Sequence, residues 1–119
     1  MGNLHIILCL SPFHNELVEH TIKISEEAVN KGHNVSMFLY MDGVYNMMLS
    51  QDGSPFKMDS ISQRLQLLLN KGVKIKACKL CKTLRGINDD NKPSEIESKG
   101  TSELDDEFMD SEVVLAFTK

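Results

Sequence analysis

Two hydrophobic patterns alternate along the first half of the chain. Near-continuous apolar runs at Leu4–Leu10 and Asn34–Tyr40 are typical of strands that are buried on both faces of a parallel sheet. Between them, Asn15–Lys31 carries apolar residues at helical spacing, and Gly32 follows as a helix stop. The pattern therefore predicts a β-α-β unit, followed by a turn at Asp42–Gly43.

The same alternation continues through the second half of the chain. After a loop at Gln51–Lys57, apolar spacing predicts a helix at about Ser60–Asn70 and a strand at Val73–Cys78 with one less buried face. The remaining predicted elements are a short helix at Lys79–Arg85, a strand at Ile96–Ser98, a helix that begins at Thr101 or Ser102, and a final strand at Glu112–Phe117. This alternation favours an α/β fold, with a mainly parallel sheet of about five strands and helices on both faces.

Composition indicates one globular domain that spans residues 1–119. The chain has 119 residues, of which 41% are hydrophobic and 25% charged, so a collagen-like repeat, a largely disordered chain and a membrane bundle are excluded. The run Leu4–Leu10 is too short to span a membrane, and it lacks the basic start of a signal peptide. Three cysteines do not form a disulfide framework, so a cytoplasmic location is expected.

Charge is segregated along the chain, although the formal net charge is only −4. Residues 57–85 carry eight Lys or Arg against one acid, a net of +7, whereas residues 86–119 carry ten acids against three bases, a net of −7. These stretches either form two faces of a monomer or meet between subunits of an assembly. Direct nucleic-acid binding is not expected, because no aromatic residue lies between Phe56 and Phe108 to stack on bases.

A parallel sheet places its chemistry beyond the carboxyl ends of its strands. That rule selects Ser11–Asn15, Met41–Tyr45, Cys78–Cys81 and the end of the chain at Lys119. The sharpest of these features is the cysteine pair, because a thiolate is favoured by nearby cations and by a helix N-terminus. Five cations that lie within seven residues of Cys78, a range without any acid, are Lys74, Lys76, Lys79, Lys82 and Arg85. The alternative is a small buried hydrophobe beside a solvated basic face.

The spacing of the cysteines restricts the chemistry that they could perform. A zinc site needs four ligands, and only one Cys-x-x-Cys pair is present, so no metal is expected. A cysteine phosphatase is excluded by register, because Arg85 follows Cys78 one position too late to cradle a phosphate. Flavin binding is not expected either, since the loop after the first strand lacks the glycine of a phosphate loop. Dithiol redox chemistry remains open.

Three other residue types near the strand ends have a structural as well as a chemical interpretation. His14 is the histidine expected nearest the functional edge, where it would either transfer a proton or orient sulfur near Cys78, or else be an ordinary surface loop residue. Cys9 lies among aliphatic residues and is expected in the core, without reactivity. The methionines around Met41 are expected to fill the core, so no chemistry is assigned to them.

Four segments, taken in order, resemble one protein family. They are Phe38–Tyr45 after the second strand, Ala77–Cys78, Arg85–Ile87, and Ser111–Phe117 after an acidic helix. With Cys78 eight residues before the glycine of Arg-Gly-Ile, the chain resembles the DsrE/DsrF-like family of sulfur-relay proteins, specifically its DsrE and TusD type. The similarity covers nearly the whole chain, and it implies the three-layer, flavodoxin-like architecture of that family.

The resemblance implies a cytoplasmic persulfide sulfurtransferase or sulfur carrier that needs no cofactor. Sulfane sulfur would be held as a persulfide on Cys78 and passed to a protein thiol, with Lys79, Lys82 and Arg85 supporting the thiolate. The neighbouring loop would be shaped by Asp42, Gly43 and Tyr45.

Implied partners are a TusA-like carrier or related DsrE/DsrF-type subunits, and the implied assembly is a homotrimer or hexamer. Cys81 departs from the TusD-type pattern, so two alternatives stay open: a Cys78–Cys81 dithiol redox module, and a non-catalytic subunit of a sulfur-relay complex.

Overall fold

A five-stranded parallel sheet forms the centre of the protein. The computed structural model describes residues 2–14, 16–100 and 111–118. The strands are β1 (Asn3–Leu8), β2 (Asn34–Leu39), β3 (Lys74–Cys78), β4 (Glu97–Lys99) and β5 (Val113–Phe117). They pair in the order β4-β3-β2-β1-β5, and every pair is parallel. The predicted α/β fold with about five parallel strands is confirmed.

Within the described residues, three α-helices connect the strands, and their ends follow local sequence signals. They are α1 (Glu16–Asn30), α2 (Ile61–Asn70) and α3 (Lys79–Leu84). The N-terminus of α2 carries a capping box, in which Ser60 and Gln63 each accept a backbone N–H of the other. Gly32 follows α1 with a φ of 88°, a conformation that glycine adopts at low cost.

Register aligns the buried side chains of β1, β2 and β3 into rows. One row contains Ile6, Met37 and Ile75, all of which are almost fully buried. Because side chains alternate between the faces of a sheet, the intervening residues form the opposite surface. There, His5 and Ser36 are paired through a 2.8 Å contact between Nδ1 and Oγ, and His5 is fully buried. Burial on both faces explains the near-continuous apolar run in β1.

The structure differs from the sequence predictions mainly between strands. The predicted turn at Asp42–Gly43 is part of a 3₁₀ helix that extends over Met41–Met47, here named the bridge helix. Cys9, which was expected in the core, is half-buried just beyond β1. Helices α1 and α2 contact each other and therefore share a face of the sheet. The helix predicted from Thr101 or Ser102 lies outside the described residues.

The helices of the described ranges are short. The longest of them, α1, has 15 residues, and none combines the length and hydrophobicity that a membrane span requires.

Candidate functional site

Cys78 sits at the point where β3 ends and α3 begins. Its extended backbone makes it the N-cap of α3, and its Sγ accepts the backbone N–H of Cys81 at 3.3 Å. Only 1% of its surface is exposed. A cysteine sulfur therefore occupies the capping position that Ser, Thr or Asp usually fills, and its position is set by the backbone of the next turn.

Cys81 lies one turn into α3, beside Cys78, and is 6% exposed. Its Sγ accepts the backbone N–H of Met41 at 3.3 Å. Burial raises the pKa of the Cys81 thiol, and the neighbouring Cys78 thiol raises that pKa further. The Met41 N–H and the Arg85 charge oppose that rise. The pKa of Cys81 is thus raised overall, although the Met41 N–H and Arg85 favour its thiolate.

The bridge helix is held against the end of β1 by close backbone contact. Gly43 is buried there, and a methyl group at this position would overlap the carbonyl oxygen of Leu8. The buried amide of Asn46 donates to the carbonyl oxygens of Leu10 (2.7 Å) and Gly43 (2.9 Å). Residue 43 must therefore be glycine for the bridge helix to sit at this depth.

Met41 begins the bridge helix in a left-handed conformation, with a φ of 52°. That conformation is uncommon for a residue with a side chain, and it is tolerated where surrounding structure enforces it. The same residue directs its N–H toward the sulfur of Cys81. The anchored bridge helix thus supplies a backbone donor to a thiol forty positions further along the chain.

An ion pair connects the bridge helix to α3. The Arg85 guanidinium donates to Asp42 Oδ1 at 2.9 Å and to the carbonyl oxygen of Cys81 at 3.2 Å. The hydrogen bond to Asp42 raises the pKa of Arg85, so the residue remains a cation. Arg85 therefore links the two segments that contribute hydrogen-bond donors to the sulfurs.

The comparisons with known proteins agree with this arrangement. The model of the DsrE/DsrF-like family matches residues 4–117. The chain belongs to the DsrE/DsrF-like family. Membership supports a role related to sulfur relay in general. A search of curated proteins finds no match.

Solved structures show the same fold. The YchN protein from E. coli is 25% identical, with a TM-score of 0.82 over 98% of this chain and 100% of that one. MTH1491 from Methanobacterium thermoautotrophicum is 12% identical, with a TM-score of 0.77 over 98% of this chain and 100% of its own. BT1422 from Bacteroides thetaiotaomicron is 15% identical, with a TM-score of 0.72 over 98% and 95%. The last two similarities concern the fold alone.

Of the two lysines that the sequence selected in this DsrE/DsrF-like chain, Lys82 pairs with an acid, Asp89. Lys82 is buried, and its Nζ contacts Asp89 Oδ1 at 3.0 Å and donates to the carbonyl oxygen of Ile87 at 3.4 Å. Lys79 is exposed on the first turn of α3. The hydrogen bond with Lys82 lowers the pKa of the Asp89 carboxyl, and the Lys79 charge contributes a smaller effect. The charge of Lys82 is thus directed toward the loop after α3.

The structure brings together only some of the residues that the sequence selected. Cys78, Cys81, Asp42 and Arg85 form one connected group, and Tyr45 is half-buried in the bridge helix, where its charge interaction with Arg85 is weak. His14 is exposed in the loop after β1, and β2 separates that strand from β3. The position Lys119 lies outside the described residues.

Sequence reasoning missed the residues that act through backbone geometry or burial. Met41 falls within the selected segment Met41–Tyr45, but the sequence predicts only core packing for its side chain, and Asn46 lies outside every selected segment. A signal was present at Asn46, because a buried amide is costly unless it satisfies backbone groups, yet burial in a loop cannot be read from a local pattern.

No metal cluster is found among the described residues. Nowhere in residues 2–14, 16–100 and 111–118 do three His, Cys, Asp or Glu side chains converge to hold an ion. Within these residues, the chemistry of the site is that of the two sulfurs and the donors around them.

Proposed function

We propose that this protein is a sulfur-relay protein that accepts sulfane sulfur as a persulfide on Cys78 and passes it to a thiol of a partner protein. The observation that carries the proposal is the placement of Cys78 at the end of β3, with its sulfur held by the N–H of Cys81. Family membership supports sulfur relay in general. The specific acceptor cysteine and the protein-to-protein transfer are our inference.

Loading and delivery are two thiol exchange reactions at one sulfur. In loading, the Cys78 thiolate attacks the outer sulfur of a donor persulfide, a new S–S bond forms, and the donor leaves as its thiol. In delivery, a partner thiolate attacks the outer sulfur on Cys78 and restores the Cys78 thiolate. Neither step requires a net change in oxidation state, so no redox cofactor takes part. The N–H of Cys81 would stabilise the anionic form of Cys78 in both steps.

Access to the sulfurs requires a movement near α3, because both cysteines are buried. This helix has only six residues, and its outward positions Leu80 and Leu84 are 66% and 75% exposed. Exposed apolar side chains on a short helix are suited to contact a partner surface. We therefore place the docking of a TusA-like carrier, or of a related DsrE/DsrF-type subunit, at α3.

The carrier assignment is tested by loading the protein with a small-molecule persulfide and measuring its intact mass. The wild type is expected to gain one or more sulfur atoms, reversibly with reductant, and Cys78→Ser is expected to gain none. Cys9→Ser is the matched control, because Cys9 is a half-buried thiol at the end of a different strand. Full labelling of Cys78→Ser would refute the assignment of the carrier.

A second candidate, dithiol–disulfide exchange with a partner protein, is favoured by the closeness of the two cysteines, since the Cys81 N–H lies 3.3 Å from Cys78 Sγ. The two functions differ in their need for Cys81. A relay protein continues to deliver labelled sulfur to an acceptor thiol as Cys81→Ser, whereas a dithiol module loses its activity. A wild type that gains no sulfur and exchanges no disulfide would instead indicate a non-catalytic subunit.

We propose further that the protein assembles as a homotrimer or a hexamer of trimer symmetry. The support is the segregation of a net +7 stretch from a net −7 stretch, which neighbouring subunits of a closed ring can match. Part of that charge is neutralised within one chain, as in the pair Lys82–Asp89. Sedimentation tests this: a mass near 13.4 kDa would contradict the proposal, and about three or six times that mass would support it. Dissociation of the assembly at about 1 M salt, where the screening length is ~3 Å, would indicate that ion pairs between subunits hold it together.

A further inference from the structure

The two sulfurs of the site are arranged for a reaction with each other as well as with a partner. We propose that Cys81 is a resolving thiol: it attacks the inner sulfur of a persulfide on Cys78, forms a Cys78–Cys81 disulfide, and releases the outer sulfur as hydrosulfide. This inference rests on the proposed function, because it begins from the loaded protein. It adds an activity, the reductive discharge of sulfane sulfur that no partner has collected.

The first support is the fixed position of the sulfur that would be attacked. Cys78 Sγ is the inner sulfur of the persulfide, and the backbone N–H of Cys81 holds it at 3.3 Å. Cys78 is the N-cap of α3 and Cys81 lies three positions further on, a spacing that makes side chains neighbours on a helix surface. Attack by Cys81 therefore needs no large rearrangement of α3, and proximity favours it strongly over attack by a thiol in solution.

The second support is the set of groups around the attacking thiol. Cys81 Sγ accepts the N–H of Met41, whose left-handed backbone conformation aims that donor at the sulfur. The Arg85 guanidinium is held on the same helix by Asp42 and by the carbonyl oxygen of Cys81. Both groups stabilise the thiolate that the reaction requires. Cys81 is therefore surrounded as a nucleophile is, although the family resemblance assigns the carrier role to Cys78.

Burial raises the pKa of Cys81, which sets the timing of the discharge. At neutral pH only a small fraction of the residue is thiolate, so resolution proceeds slowly even though the sulfurs are adjacent. A docked acceptor then has time to collect the outer sulfur before it is lost.

The reaction balances without an external oxidant. The bond between Cys78 Sγ and the outer sulfur breaks, and a bond between the two cysteine sulfurs forms. The outer sulfur leaves with the bonding electron pair as hydrosulfide and is reduced, while the two cysteines are oxidised together to a disulfide. The Cys81 proton goes to solvent. A second turnover requires a dithiol reductant to open the disulfide.

The test uses the full chain loaded with glutathione persulfide and desalted, with no acceptor protein present. The wild type is expected to release one hydrosulfide for each persulfide and to end lighter than the reduced protein by the two thiol hydrogens. Because the intramolecular advantage is lost, Cys81→Ser is expected to release hydrosulfide at least about tenfold more slowly and to keep its added sulfur. Cys9→Ser, the control thiol, should match the wild type.

The sequence offers a direct assay of the product. Trypsin cleaves after Lys79, between the two cysteines, so reduced Cys78 and Cys81 fall on separate peptides, residues 77–79 and 80–82. Joined peptides that separate on reduction would identify the disulfide in the wild type, whatever the folding of the variants.

The outcomes separate this inference from the proposed function. If Cys81→Ser discharges as fast as the wild type, or if discharged wild type shows no joined peptides, the resolving role is refuted while the carrier role of Cys78 stands. If the wild type gains no sulfur, or if Cys78→Ser gains as much as the wild type, the proposed function fails first. Sulfur that moves to Cys81 at constant mass, without hydrosulfide, would also overturn the inference.

Discussion

The carboxyl ends of β1 and β3 both present a cysteine, but the surroundings of the two differ. Cys9 follows β1, its N–H donates to the carbonyl of Phe117 within the sheet, and burial raises the pKa of its thiol. Cys81 follows β3 by one turn, and there the effect of burial is opposed by the Met41 N–H and by Arg85. A buried thiol becomes a candidate nucleophile only where such donors face the sulfur.

The two strand ends are nevertheless connected by hydrogen bonds through the bridge helix. At the β1 end, the carbonyl oxygens of Leu8 and Leu10 accept the N–H of Tyr40 and the amide of Asn46, which anchors the bridge helix. From that anchored segment, the Met41 N–H reaches Cys81 at the β3 end. The β1 end therefore supports the bridge helix, and the β3 end carries the two sulfurs. Four predictions address this division.

Gly43→Ala is expected to have the largest effect, because the added methyl group would overlap the Leu8 carbonyl and push the bridge helix off β1. We expect a loss of about 3 kcal/mol or more in the free energy of unfolding, measured by urea denaturation. Gly100→Ala is the control, because no atom of the described residues, other than those of Gly100 and its chain neighbours, lies within 4 Å of the added carbon. Equal stability of the two variants would show that the bridge helix does not depend on close contact with β1.

Asn46→Ala is expected to have the next largest effect, because it leaves the carbonyl oxygens of Leu10 and Gly43 without the amide donor that they share. We expect a loss of about 2 kcal/mol in the free energy of unfolding. The control Asn88→Ala removes an exposed amide that makes no side-chain cap to the 3₁₀ turn Asp89–Asn91 that follows it. Alkylation of Cys81 should accelerate in Asn46→Ala as the bridge helix loosens. An unchanged alkylation rate would show that the contacts of Asn46 do not affect access to Cys81.

The pH dependence of Cys81 alkylation tests the environment of the thiol itself. Only the thiolate reacts, and because the pKa is raised, the rate should climb about tenfold per pH unit and level off above the ordinary value of ~8.5. The groups that face Cys81 are Cys78 from β3, Arg85 from the position just after α3, and the Met41 N–H from the bridge helix. The tryptic peptide 80–82 reports this residue alone. A rate that levels off below pH 8 would contradict the dominance of burial.

Arg85→Gln is expected to have the smallest effect, a rise of about 0.5 unit or less in the midpoint of that pH profile. The Arg85 charge lowers the pKa of Cys81 but is the weakest of the influences on it, and the residue is partly exposed to solvent. The midpoint is the useful quantity, since it does not depend on how accessible the thiol becomes. Lys71→Gln removes an exposed positive charge just after α2 and should leave the midpoint unchanged. A lower midpoint in Arg85→Gln than in the wild type would contradict the conclusion that the Arg85 charge lowers the pKa of Cys81.

Much of the fold could be predicted from short stretches of sequence, because the signals that define its elements are local. The apolar runs of β1 and β2, the glycines after α1 and α2, and the alternation that ends at Cys78 each depend on neighbouring residues alone. The bridge helix was predicted only as a turn, because its seven residues show no periodic pattern. Its position depends on the contact of Gly43 with the Leu8 carbonyl, which a local pattern does not show.

The amino-acid sequence alone located the cysteine pair at the carboxyl end of a strand and supported membership of a sulfur-relay family. Both conclusions follow from order and spacing along the chain. The burial of the two sulfurs, the donor from Met41 and the pairing of Arg85 with Asp42 depend on packing between segments that are 40 and 43 positions apart. Local clustering of charge also could not show that Lys82 pairs with Asp89 in the loop beyond α3. Such contacts are decided when the sheet brings strand ends together, since parallel strands join residues that no local pattern relates.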